Sequence, residues 1–172
     1  MADERCSIRR YRPDDADRIF ELHERALRAD DAYCPEAPDD DLRDPIGAYV
    51  DSGGDFLVGT VADRIVAMGA YRPAPEWAIE SVPGLPEPAA QLKRMRVDPD
   101  DQRRGFGTEI LDALEDRARE DGYRSLVLDT GAHQDGTRAF YEAQEFAHER
   151  TLMVDFDGID LRMALYRKRL DG

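Results

Sequence analysis

Lysine is almost missing from this chain: Lys93 and Lys168 are the only two in 172 residues, and arginine supplies nearly all the positive charge. Positive charge as a whole is short too, with 24 Lys and Arg against 38 Asp and Glu, a formal net charge of −14. Such a chain lacks the basic patch of a nucleic-acid binder, so no nucleic-acid partner is expected. The two cysteines, Cys6 and Cys34, are too few for a disulfide framework or a Cys-rich zinc site, and neither belongs to a C-x-x-C pair. Reduced, partly buried thiols are expected instead. No apolar run approaches the ~20 residues needed to span a bilayer, and Met1-Ala2-Asp3-Glu4-Arg5 carries no export stretch. The expectation is a cytoplasmic protein with no membrane partner. His23, His133 and His148 form no His/carboxylate pattern for a metal, so no metal is expected, and no Ser-His-Asp arrangement stands out. With no internal repeat, low-complexity tract or linker, residues 1–172 read as a single domain long enough to bury a core.

Carboxylates are what the chain has in excess. They are spread along its whole length, while 41% of the residues remain hydrophobic. Dense carboxylates keep a surface hydrated where salt screens ordinary repulsion. The composition therefore predicts a salt-adapted, halophilic protein rather than one with an acidic docking face.

The most informative segment is Val97-Asp98-Pro99-Asp100-Asp101-Gln102-Arg103-Arg104-Gly105-Phe106-Gly107-Thr108. A strand carrying Leu92, Met95 and Val97 runs into a Pro-containing loop, and two close glycines open a long amphipathic helix. Such a turn leaves backbone N–H groups unpaired and lets an anion approach the main chain. Arg103 and Arg104 stand at the positive end of the helix dipole, where a cation typically costs about 0.3–1 kcal/mol. A bound polyanion such as a pyrophosphate explains that placement. The segment has no Gly-Lys-Ser/Thr ending of a P-loop, and no dinucleotide-type G-x-G-x-x-G follows a strand.

Gln102-Arg103-Arg104-Gly105-Phe106-Gly107 resembles the Gln/Arg-x-x-Gly-x-Gly/Ala motif of the GCN5-related N-acetyltransferase (GNAT) family. Downstream, Phe140-Tyr141-Glu142-Ala143-Gln144-Glu145-Phe146 is similar to the family's Phe-Tyr-Glu-Lys-x-Gly-Phe, departing from it at Ala143 and Glu145. The close match covers about residues 91–146. The resemblance implies acetyl-CoA as co-substrate. Gln102, Arg103, Arg104, Gly105, Phe106, Gly107 and Thr108 would hold its pyrophosphate. The backbone of Met95, Arg96 and Val97 would bond the pantetheine arm, with Gln134 where relatives usually place an Asn against that arm. It also implies an α/β fold: a mixed, mostly antiparallel sheet of about six or seven strands, a central splayed parallel pair, and helices on both faces.

Patterning along the chain fits that order. Ser7–Tyr11 reads as a strand stopped by Pro13, and Asp14 or Asp15 caps a helix with Ile19, Phe20, His23, Ala26 and Leu27 on its apolar face. His23 is expected to be packed there rather than to act as a ligand. Residues 30–45 are acidic and proline-broken, a candidate substrate lid, with a short helix around Asp40–Val50. Asp55–Val61 and Arg64–Tyr71 form two strands joined at Ala62-Asp63. Five prolines in 72–88 predict an irregular loop whose Trp77 either walls the acceptor pocket or pins the loop. Gln91–Val97 is the strand before the glycine loop, and Phe106, Ile110, Leu111, Leu114 and Ala118 form the buried face of the helix after it. Ser125–Asp129 follows as a buried strand, parallel to the first by a right-handed crossover. A helix from about Asp135 to Gln144 precedes a hairpin of Thr151–Phe156 and Ile159–Tyr166, turning at Asp157-Gly158.

Acetyl transfer to an amine needs a neutral amine, a polarised thioester carbonyl and a proton for the departing thiolate. By resemblance, Tyr141 is the general acid; a tyrosine has a reference pKa near ~10 and stays protonated at neutral pH. Many relatives carry a Glu six residues before the Val of the loop. Here that position is Gln91, which takes up no proton at neutral pH, leaving Glu76, Glu80 and Asp129 as substitutes. The expected activity is acetyl-CoA-dependent N-acetylation of a primary amine. The alternatives are an inactive acetyl-CoA-binding sensor of the same fold, or a purely structural domain that would leave Arg103 and Arg104 unexplained. The expected acceptor is a small-molecule amine or a protein N-terminus; polyamines, amino acids and aminoglycosides are all open, as is homodimerisation.

Overall fold

Alternating and periodic apolar positions build one sheet with helices on both faces, seen in a computed structural model that describes residues 5–30, 32, 39–156 and 158–171. The strands are β1 (Ser7–Arg10), β2 (Asp55–Val61), β3 (Arg64–Pro73), β4 (Ala89–Val97), β5 (Ser125–Gly131), β6 (Ala147–Phe156) and β7 (Ile159–Arg169). The helices are α1 (Ala16–Ala29), α2 (Asp40–Arg43), α3 (Glu76–Glu80), α4 (Phe106–Glu120) and α5 (Asp135–Ala143). The sheet has seven strands in the order β1-β2-β3-β4-β5-β7-β6, antiparallel except for the parallel pair β4–β5.

That parallel pair is joined only at its start. Ala89, Ala90 and Gln91 pair with Ser125, Leu126 and Val127, and no pairing follows. Beyond Gln91 the strands splay, so one edge of β4 faces a gap that widens toward the loop before α4. Buried Ile110, Leu111, Leu114 and Ala118 of α4 pack with Leu92, Leu126 and Leu128 on one face, together with Tyr141 of α5. The other face holds Ile19 and Leu22 of α1 against Phe56, Val58 and Met68, with Leu42 and Tyr49. A third cluster sets Ala78 and Val82 beside Val127 and Leu165.

Several sequence expectations need correction. The stretch 72–88 is not irregular throughout: β3 continues to Pro73, and α3 fills the proline-free interval after Pro75. A proline ahead of a first turn is compatible with helix because no intrahelical N–H is lost there. The helix expected over Asp40–Val50 is broken, with α2 ending at Arg43 and a single π turn over Ile46–Val50 after Pro45. Asp15 does not cap α1 through its side chain; its carboxylate takes Arg9 and the Arg12 N–H instead. Leu22 is buried in α1, while Phe20 and Leu27 are only half-buried. Strand β4 starts at Ala89, and β5, β6 and β7 run longer than their patterns suggested. The Ala62-Asp63 turn is as expected, both residues at positive φ (50° and 63°), the twist-matched hairpin geometry. Cys34, most of the acidic segment before Asp39, and Asp157 lie outside the described residues.

Candidate active site

Strand β4 bulges where it passes the gap. Met68 pairs with Arg96 but Ala70 pairs with Lys93, leaving Arg94 and Met95 opposite Gly69. Arg94 takes a φ of 59° to make the extra residue fit. A β-carbon on Gly69 would stand 2.6 Å from both the Met95 sulfur and a Leu114 methyl, so glycine lets these side chains of the bulge and α4 pack directly over the strand without shifting. Asp98 donates its N–H to Val66 of β3. Alternation along the strand therefore turns the main chain of Arg96 toward β3, and that of Val97 and Met95 toward the gap. The two gap-facing carbonyls have protein donors: Arg96 Nη1 to Met95 O at 2.8 Å, and Gln102 Nε2 to Val97 O at 3.3 Å. The Arg96 guanidinium reaches His23 Nδ1 at 3.3 Å, and burial with neighbouring Arg94 pushes its pKa down to about 10. His23 itself is buried and driven down to about 3 by that burial and by Arg96, so it is a neutral packing residue on α1 as expected.

The loop after β4 is held by carboxylates that sequence reasoning passed over. Buried Asp98 accepts from Arg18 at 2.8 Å, Arg25 at 3.1 Å and the Asp100 N–H at 3.0 Å. Against the cost of burial, these donors bring its pKa down to about 2. Buried Asp101 accepts from Arg64 and, at 2.9 Å, from Arg104. Arg104 also lies over the Phe106 ring at 4.8 Å. So Arg104 has a structural partner within the loop, and its cost at the helix start is partly offset there. One carboxylate still faces two guanidinium groups, and Arg103, at a φ of 64°, is exposed. Gly105 is left-handed (φ 85°), and a β-carbon there would have no atom within 4 Å, so its outer side is open. Gly107 lies under Phe140 and Val97, and the Thr108 hydroxyl accepts from Gln144 at 3.2 Å. The N–H groups at the start of α4 point out of this turn toward the open side.

Across the gap, Gln134 caps the end of β5, its Oε1 accepting the Gly131 N–H at 2.8 Å and the Thr130 hydroxyl at 3.2 Å. That leaves its Nε2 group for any further contact. Buried Tyr141 packs edge-on to Phe140 and Phe146 at 5.2 and 5.6 Å. Burial raises its hydroxyl well above the ordinary tyrosine value, with Arg96 lowering it and Asp129 raising it, so it stays protonated across any working pH. Its hydroxyl has no hydrogen-bond partner among the described residues.

A cleft of about 310 Å³ opens on the α1 side of the sheet, lined by Arg72, Trp77, Gln91, Lys93 and Asp129 with Pro73, Pro75, Val154 and Asp155 at its edges. Trp77 packs on the third core cluster, which pins the loop, and it also lines the cleft. Gln91 Nε2 donates to Asp129 Oδ1 at 3.3 Å. Burial raises the Asp129 pKa, with Lys93 and the Gln91 bond opposing. Of the three substitute bases, Asp129 alone lines this cleft; Glu76 and Glu80 are exposed on α3. The pairing of Gln91 with Asp129 had no signal in the sequence, since the two are 38 positions apart. Among the described residues no group of His, Cys, Asp or Glu side chains is gathered as a metal ion would require.

The arrangement is an α/β fold with a turn open on its outer side at a helix start, a strand edge facing a gap, and a small cleft beside it. The acetyltransferase (GNAT) family model matches residues 16–146, and the chain belongs to that family. Over 92 residues it is 35% identical to an IAA acetyltransferase of Azospirillum brasilense, covering 54% of each protein. Over 107 residues it is 28% identical to human N-acetyltransferase 8, covering 62% of this chain and 44% of that protein. The chain thus spans about half the length of the curated relatives it matches. A GNAT-family acetyltransferase of Staphylococcus aureus Mu50 superposes with a TM-score of 0.75 at 19% identity, over 96% of this chain and 99% of that one. A phosphinothricin acetyltransferase of Sinorhizobium meliloti, solved with AcCoA, gives 0.74 at 13% identity over 96% and 89%. At such identities these two structures speak for the fold.

Proposed function

We propose that the chain is an acetyl-CoA-dependent N-acetyltransferase acting on a primary amine. One observation carries the reading: a single gap between β4 and β5 has an anion-ready turn at its mouth and, beside it, a cleft holding a carboxylate of raised pKa. The residues present suit the coenzyme. The start of α4 with Gly105, Gly107 and Arg103 offers donors and open space for a pyrophosphate, and Arg104 steadies the turn through Asp101. The Met95 and Val97 N–H groups face the gap where a pantetheine arm would lie, with Gln134 opposite. Acetyl-CoA supplies the acetyl group as an activated thioester.

The chain's own residues handle the protons. Asp129, oriented by Gln91, accepts one from the acceptor's ammonium; its raised pKa brings it nearer the range a base works in. Tyr141 holds a proton on the other side for the leaving thiol. Holding both substrates in one gap supplies much of the remaining rate by orientation alone. A carboxylate in this position favours catalysis over the sensor alternative that Gln91 had raised. The lysine-poor, acidic surface supports a salt-adapted enzyme of the cytoplasm.

The test is a calorimetric titration with acetyl-CoA, followed by thiol release with a panel of amines in molar salt. Binding with turnover on at least one amine is expected. No binding removes the coenzyme assignment, and tight binding with no turnover at any pH or salt returns the sensor reading.

A further inference from the structure

In a chain with 38 carboxylates, the cations lacking a partner are informative. Most arginines are ion-paired, and those with no ion pair among the described residues, such as Arg43, Arg103, Arg150 and Arg162, are exposed to solvent. Arg72 and Lys93 differ. They are half-buried, and among the described residues no acceptor hydrogen-bonds or ion-pairs with either side chain. Arg72 lies over the Tyr49 ring at 5.2 Å, and burial together with Arg94 and Arg72 lowers the Lys93 pKa against the opposing pull of Asp129 and Asp41. Both line the same cleft. Register explains the cluster: Arg72 pairs with Gln91, and Ala70 with Lys93, so the two cations flank Gln91 on one face. The carboxylates facing the cleft are Asp129, bonded to Gln91, and exposed Asp155 at the rim, which accepts the Gly158 N–H at 2.6 Å. One of only two lysines in the chain thus has Asp129 and Asp41 near enough to act on it but makes no ion pair with either among the described residues.

A half-buried cation without an acceptor is costly unless a ligand supplies one. A dication such as a polyamine would be repelled by the pair. Resting on the N-acetyltransferase reading, we infer that the acceptor is a zwitterion, a small free amino acid whose carboxylate sits between Arg72 and Lys93 while its amine faces Asp129. Trp77, Pro73 and Pro75 wall the space left for its side chain, and a cleft of about 310 Å³ is of small-molecule size. The chemistry balances: an amide N–C bond forms as the thioester C–S bond breaks. Of the two protons the ammonium gives up, one leaves through Asp129 to solvent and one ends on the thiol.

Trp77 is the sole tryptophan and lines the cleft, so its fluorescence reports binding without any need for turnover. The twenty L-amino acids, each paired with its carboxamide, would be titrated against the coenzyme A-loaded protein, and kcat/KM measured by thiol release. Charge-assisted bonds to a carboxylate predict that the preferred amino acid exceeds its amide by about 10- to 100-fold in both measurements. Arg72→Gln should shrink that ratio at least several-fold while leaving acetyl-CoA affinity unchanged. Amides bound or turned over as well as the acids, no acid bound at all, or a ratio untouched by Arg72→Gln would each overturn the inference. Turnover of neutral amines with no preference for acids would do so while leaving the acetyltransferase reading intact.

Discussion

Arg94→Met removes the bond that ties the α2 segment to the bulge beside the active site. Arg94 donates to Asp41 from Nε at 2.8 Å and from Nη2 at 2.6 Å, and the Tyr49 hydroxyl donates to the same carboxylate. Both charged side chains are only 12% exposed. Burial alone would raise the Asp41 pKa, but Arg94 and then Tyr49 bring it from 3.8 down to about 2. At about 1.4 kcal/mol per pH unit that fall corresponds to about 2–3 kcal/mol, an order-of-magnitude figure. Taking Arg94 away leaves, among the described residues, only the Tyr49 hydroxyl bonded to Asp41 against its burial cost, and removes the 3.3 Å partner of Asp39, so a loss of about 3 kcal/mol at pH 7 is expected, at the low end for a broken buried pair. Methionine keeps the aliphatic bulk and leaves the backbone geometry of the bulge no worse served than arginine does. The sign with pH follows from the depressed pKa. In the parent, the Asp41 contribution is complete above its unfolded value near 3.8 and fades as pH falls toward 2. In the variant, Asp41 titrates higher than in the parent, because burial is opposed by one donor fewer, and protonation relieves it sooner as pH falls. The gap between parent and variant should therefore narrow as pH drops from 5 toward 3. Urea unfolding of both proteins at several pH values in this range, and at pH 7, measures it. A difference under about 1 kcal/mol at pH 7, or one that does not change with pH, would refute the reasoning.

Tyr141→Phe should lower kcat by about 10²–10⁴ with acetyl-CoA affinity unchanged in calorimetry; a variant as fast as the parent where chemistry limits turnover makes Tyr141 a packing residue. Asp129→Asn should cut kcat/KM by about 10² and abolish the acidic limb of the pH profile, which in the parent lies above the ordinary carboxylate range because burial raises that group. An unchanged acidic limb would assign it to the acceptor amine. Gly105→Val meets a left-handed φ of 85° that a β-branched residue resists, and fills the open side of the turn. Acetyl-CoA affinity should drop at least about tenfold with secondary structure retained by circular dichroism, a loss of about 1.4 kcal/mol or more.

The sequence by itself determined what is local. The 3.6-residue period of Phe106, Ile110, Leu111, Leu114 and Ala118 decides which side of α4 is buried, because neighbours on a helix face are set by the chain's own geometry. The two glycines and the flanking strand and helix likewise make the loop legible, and the βαβ spacing fixes a parallel β4–β5 pair. Tertiary structure decided everything that depends on which distant segment arrives alongside. Arg103 and Arg104 look alike in the sequence, yet Asp101 and Phe106 claim Arg104 and leave Arg103 exposed. Gln91 reads as a lost base until β5 brings Asp129 within 3.3 Å of it. The bulge at Arg94 lies over Gly69 of another strand, which gives Met95 and Leu114 room to pack, and α3 needs the Val127–Leu165 surface to pack on, which is why a proline-rich stretch concealed it. Whether a cation is paired depends in the same way on neighbours that only folding supplies. Among the described residues, Lys93 and Arg72 stand apart from the other cations only once the sheet has set their neighbours around the cleft.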